Sequence, residues 1–179
     1  LCPRRLRKSF AVLLVLAAMG GPALAGDPAQ PAGAPLAAVA VADQPENIRA
    51  DDVAAIAEMA RGYGEAEQTA VGNGDPVIVG EMNGIAYQLF FLECTDNRDC
   101  KVLDFYAIWD APGVQLTTVN EWNRTRPFNK AYLGEDGLPV IELNLSTAGG
   151  LTRGQLGDAF DRWAVALADF QRSVVETAF

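Results

Sequence analysis

Residues 85–109 read IAYQLFFLECTDNRDCKVLDFYAIW. Two apolar runs, 85–92 and 102–109, flank a polar loop that carries Cys94 and Cys100 near its ends. The spacing C-TDNRD-C is not the C-x-x-C of a dithiol oxidoreductase. It reads as a β-hairpin stapled across its loop by a disulfide. If Cys94 faces Cys100, the numbers of cross-strand partners sum to 194. Opposed residues of an antiparallel pair lie about 4.5–5.5 Å apart at Cα, which a disulfide can span.

That register sorts the side chains into two faces. Ile85, Tyr87, Leu89 and Phe91 fall opposite Trp109, Ala107, Phe105 and Leu103, and all eight are apolar or aromatic. Gln88, Phe90 and Leu92 fall opposite Tyr106, Asp104 and Val102, a mixed set. One face is core-like and the other half wet, the pattern of an antiparallel sheet. A pairing chosen from two cysteines therefore agrees with a hydrophobic pattern that does not depend on them.

Turn signals extend the sheet on both sides. Asn73-Gly74 and Asn83-Gly84 bracket a strand near residues 77–82. Asp136-Gly137 joins residues 128–135 to 138–145. A two-residue turn there makes partners sum to 273, placing Phe128 and Tyr132 on the face of Ile141, Leu143 and Leu145, with Glu142 and Asn144 on the other. Three helices accompany the strands. Residues 51–61 carry Val53, Ile56, Ala57 and Ala60 at helical spacing and stop at Gly62. Thr118-x-x-Glu121 reads as a capping box for a short helix through Trp122 to Thr125, ended by Pro127. Thr152-x-x-Gln155 opens the longest helix, with Leu156, Phe160, Trp163, Leu167, Phe170 and Val174 along one stripe. The expected fold is α+β: an antiparallel sheet of five to six strands with three helices, in the order α-β-β-β-β-α-β-β-α.

The chain has 179 residues, 14 Lys+Arg against 23 Asp+Glu, and no histidine. Absence of imidazole excludes Ser-His-Asp and Cys-His catalysis and His-liganded metals. The acidic balance argues against nucleic acid as a partner. At the start, Arg4, Arg5, Arg7 and Lys8 precede an apolar run at residues 10–19 and the small residues Ala23-Leu24-Ala25. This is the layout of a secretory signal peptide over residues 1–25, cleaved after Ala25. The run is too short to span a bilayer, which needs about 20 apolar residues, so no stable membrane anchor is expected after cleavage. Those 25 residues hold four basic and no acidic side chains, so the remainder carries ten basic against 23 acidic, a net charge of −13. Cys2 leaves with the signal, and two cysteines in an exported protein favour a disulfide. Residues 26–45 are Ala- and Pro-rich and read as a linker. Residues 46–179 form the domain, with a periplasmic or secreted location expected.

The segment ECTDNRDC at 93–100, then Glu121-Trp122-Asn123-Arg124, Phe128 with Ala131-Tyr132, and the closing amphipathic helix resemble the YbjN domain family, most closely its exported proteobacterial branch. The resemblance covers residues 51–174. It implies a fold similar to type III secretion chaperones, small α+β domains that dimerise and bind peptide segments. It also implies a sensory-transduction regulator with no catalytic residues and no cofactor. Export and the cysteine pair depart from the family's cytoplasmic members.

Other residues offer groups for chemistry. Glu93, Asp96, Asn97 and Asp99 crowd the hairpin tip and offer oxygens to a calcium ion, but lack the loop spacing of a calcium site; a solvated turn is the reading adopted. Glu121 and Glu142 are the carboxylates available for a hydrolase of acid/base type, yet Glu121 is expected to cap its helix and Glu142 to lie on a wet face. Trp122 is expected to anchor the core with its indole N–H on an acceptor, and Asn123 to brace the neighbouring loop. Glu121, Trp122, Asn123, Phe128 and Tyr132 are thus read as structural. Phe90, Leu92, Val102, Tyr106 and Ile108 make the second sheet face more apolar than a solvated face usually is. Either a helix covers that face or it receives a partner. The function expected is a periplasmic, non-enzymatic protein- or peptide-binding domain that engages a segment or a second copy of itself. The alternatives are a carboxylate-based hydrolase and a structural envelope protein.

Overall fold

Alternating apolar side chains with short glycine turns produce a single six-stranded antiparallel sheet, and three amphipathic helices pack on one side of it. The structure is a computed structural model that describes residues 47–178. The signal-peptide and linker readings lie outside the described residues. The elements are α1 (Val53–Arg61), β1 (Glu65–Ala70), β2 (Pro76–Met82), β3 (Ile85–Leu92), β4 (Val102–Ile108), α2 (Leu116–Thr125), β5 (Lys130–Leu133), β6 (Pro139–Ser146) and α3 (Arg153–Phe170). Their order is the expected one, and the strands lie side by side as β1-β2-β3-β4-β6-β5.

The central hairpin has the register that the cysteines imply. Leu89 pairs with Phe105 and Phe91 with Leu103, and Cys94 and Cys100 are joined in a disulfide beyond the last ladder pair. Thr95 and Arg98 close the tip backbone-to-backbone around Asp96 and Asn97, both at positive φ. That is the handedness a tight hairpin turn requires. The Asn97 amide then donates to the Asn73 carbonyl and to Asp75, each at 3.0 Å, so the tip is fastened to the β1–β2 loop. Gly74 in that loop has φ +92°, and a Cβ there would sit 3.1 Å from the Asn97 side chain.

The core lies between the sheet and the helices. Leu89 and Phe105 are fully buried in it, and Phe105 meets Phe160 of α3 edge-on at 5.1 Å and Trp163 at 5.7 Å. Ile56, Ala57 and Ala60 of α1 join the same cluster, as do Val119 and Trp122 of α2. The Thr152 capping box is present in full: its hydroxyl accepts from the Gln155 N–H, and the Gln155 side chain accepts from the Thr152 N–H.

Two local expectations need correction. α2 starts at Leu116 with Gln115 as its N-cap, so Thr118 lies inside the first turn and no capping box forms there. Glu121 instead pairs with Arg124, three residues on, on the exposed side of the helix. The β5–β6 partners sum to 272, as in Ala131 with Ile141, not 273. The turn holds three residues, Glu135-Asp136-Gly137: the Gly137 N–H reaches the Gly134 carbonyl, and Gly137 takes φ +78°. One extra residue in a turn moves every side chain of the strand to the other face. Tyr132 therefore sits opposite Val140, beside Glu142, rather than with Ile141 and Leu143. Phe128 falls outside β5 altogether, at φ +75° and 67% exposed, with the Arg162 guanidinium 4.4 Å above its ring.

Candidate functional site: the helix-free face of the sheet

Side chains that alternate away from the core collect on the opposite face, and none of the three helices packs there. Phe90, Leu92, Val102, Tyr106 and Ile108 all lie on it. Leu92 is 38% and Ile108 42% exposed, while Phe90, Val102 and Tyr106 are half-buried by their strand neighbours. The Phe90 ring meets Tyr106 edge-on, with centroids 5.8 Å apart. Val77 and Val140 are buried on this face.

Polar residues interrupt that apolar ground at one place. Tyr106 is opposite Glu142, and Glu142 is opposite Lys130, so one row across β4, β6 and β5 carries a phenol, a carboxylate and an ammonium. The Lys130 ammonium lies 2.5 Å from Glu142, and the Tyr132 hydroxyl donates to the same carboxylate. One row away, Asp104 accepts a 2.9 Å hydrogen bond from the Asn144 amide. Asp104 and Glu142 are the two buried carboxylates among the described residues. Burial pushes the Asp104 carboxyl up to about 6; the Glu142 charge adds to that rise and Lys130 opposes it. Burial, the Glu142 hydrogen bond and its charge all raise the Tyr132 phenol, and burial with the Glu142 charge raises Tyr106. The row holds its charges by pairing.

Two open clefts continue across β1–β4 on this face. One, of about 440 Å³, is lined by Glu65, Glu67, Glu81, Val79 and Ala86. The other, of about 280 Å³, runs from Val79 and Ala86 to Gln88, Tyr106 and Ile108.

Glu121 and Glu142 stand on different elements with separate partners, Arg124 for one and Tyr132 with Lys130 for the other. Of the hairpin-tip residues, Asn97 spends its amide on Asn73 and Asp75. No three His, Cys, Asp or Glu side chains converge as a metal-holding group among the described residues. Trp122 finds its acceptor in Asn129, at 2.7 Å. Asn123 braces β5 itself rather than a loop: it donates to the Ala131 carbonyl and accepts from the Ala131 N–H. The sequence pattern alone does not bring Asp104, Glu142 and Lys130 together. Asp104, a lone carboxylate inside an apolar run, is the visible signal for their cluster.

Residues 52–176 match the YbjN family, described as "Putative bacterial sensory transduction regulator". The chain belongs to the YbjN family. Neither a curated protein nor a solved structure matches it. The YbjN description is that of a regulator rather than an enzyme. The match spans all six strands and every residue of the open face. Among the described residues no helix is long and apolar enough to cross a membrane.

Proposed function

We propose that this YbjN domain is a non-catalytic binding module that works outside the inner membrane and regulates by holding a protein or peptide segment on the open face of its sheet. One observation carries the reading: Phe90, Leu92, Val102, Tyr106 and Ile108 lie together on a face that no described element covers. A solvated sheet face ordinarily alternates to polar residues, and a contiguous apolar patch marks an interaction site. The family's description as a regulator supports a partner. The engagement of Glu121 by Arg124 and of Glu142 by Tyr132 and Lys130 supports a role other than acid/base catalysis. The signal-like residues 1–25 and the cysteine pair support export.

The test is replacement of Phe90 or Tyr106 by Lys in the exported protein. Circular dichroism and urea melting should show the fold retained. Capture of partners from an envelope extract, with light scattering for mass, should show binding lost. Folded variants that capture the same partners as the parent would refute the reading.

A further inference from the structure

The charge on the open face is one-sided. By register its strand residues include Glu65, Glu67, Glu81, Asp104 and Glu142 against Lys130 as the single cation, and Lys130 is taken up by Glu142. Glu65 is directly opposite Glu81 on the neighbouring strand. Like charges in that relation destabilise a sheet. Glu65, Glu67 and Glu81 are all exposed and enter no ion pair among the described residues. They line the cleft at the β1 margin, which shares Val79, Gly80 and Ala86 with the cleft leading to Tyr106 and Ile108. The path therefore runs from an uncompensated acidic end to an aromatic and apolar end.

Taking the binding reading as its basis, we propose that the occupant of this path is a cationic peptide segment. Its lysine or arginine side chains lie over Glu65, Glu67 and Glu81, and its apolar residues lie over Tyr106 and Ile108. β1 and β4 are three strand spacings apart, about 14 Å, which four to five extended residues cover. Basic and apolar positions of the segment are therefore separated by that interval. A second copy of this chain is the poorer occupant, because stacking the face on itself would bring together two surfaces that each carry the unpaired Glu65, Glu67 and Glu81. Complementary charge also speeds encounter and selects against acidic segments.

The experiment uses the exported protein and three fluorescent peptides, KSKSKVSVSV, SSSSSVSVSV and ESESEVSVSV, read by anisotropy. The lysine peptide should bind tightest and the glutamate peptide weakest. Raising salt from about 0.15 to 1 M, which shortens the screening length from about 8 to 3 Å, should erase the difference. The triple variant Glu65→Gln, Glu67→Gln, Glu81→Gln should bind the lysine peptide about tenfold more weakly. Removing equal charge on the helical side, through Glu58→Gln, Asp158→Asn and Glu176→Gln, should leave binding unchanged. The proposal is overturned if the two triple variants behave alike, or if the first binds as the parent does. If the serine peptide binds as well as the lysine peptide and Tyr106→Lys abolishes both, the face binds segments but does not select for charge. If no peptide binds, the cationic-segment proposal is overturned, and the envelope capture described above decides the binding reading separately.

Discussion

Asn123 on α2 closes a two-way hydrogen-bonded ring on the backbone of Ala131 in β5: its Nδ2 donates to the Ala131 carbonyl and its Oδ1 accepts from the Ala131 N–H, each at 2.8 Å. β5 is the outer strand of the sheet. The amide thus takes the place of a missing neighbouring strand at the residue whose polar groups face outward. Ala131 is only 6% exposed, so water is a poor substitute there. Asn123→Leu should strand a buried N–H and C=O and cost about 1–3 kcal/mol, measured by urea denaturation. Asn123→Asp keeps the acceptor for the Ala131 N–H but at neutral pH turns a carboxylate oxygen on the Ala131 carbonyl, so it should destabilise as well.

The faces of the central hairpin predict opposite sensitivities. Leu89 is fully buried in the core, so Leu89→Ala should lose about 2–5 kcal/mol through lost burial and the cavity left behind. Its neighbour Gln88 points to the open face and is exposed, and Gln88→Ala should stay within about 0.5 kcal/mol. Equal losses in chemical melts of the two variants would contradict the register.

Stability should depend on pH through Asp104. Its carboxyl is raised from 3.8 to about 6 by burial, so the folded protein binds this proton more tightly than the unfolded chain. The group's contribution is fully present below about pH 4 and is lost as pH rises through about 6. Asp104→Asn keeps an acceptor for Asn144 and removes the charge. It should therefore stabilise the protein by on the order of 2 kcal/mol at pH 7.5 and by little at pH 4. Paired urea melts at the two pH values check this, and a variant less stable than the parent at pH 7.5 would count against it.

The disulfide closes a short loop, with the cysteines six residues apart in sequence. In the chain-entropy account such a loop stabilises the fold by about 2 kcal/mol. Reduction, or Cys94→Ser with Cys100→Ser, should lower the urea midpoint accordingly. Chemical shifts of β1, β5 and β6 should remain in place, because the strand pairing does not depend on the sulfurs.

The central sheet was legible because two unlike signals, a cysteine pair and an apolar alternation, constrain the same register. The β5–β6 pair had only the dipeptide Asp136-Gly137 to set it. Glu135 is ordinary enough to sit in a strand or a turn, and its inclusion in the turn carries Tyr132 across to Glu142. Phe128 could not be placed by pattern, since a bulky residue at φ +75° goes against backbone preference. The helix at residues 116–125 was visible but its start was not: Thr118-x-x-Glu121 has the composition of a cap without the extended backbone a cap needs. Nor could the stripes on three helices tell which side of the sheet they would choose. That choice leaves Glu65, Glu67 and Glu81 on an unoccupied face, and it emerges only with the assembled layers.

The plug that Asn123 makes in one margin of the sheet limits what kind of assembly is open to the domain. Polymerisation by strand addition requires two receptive borders per molecule, one to accept a neighbour and one to offer to the next. With the β5 border engaged from within at Ala131, edge-to-edge growth of folded copies has the β1 border as its place to start and ends at a pair.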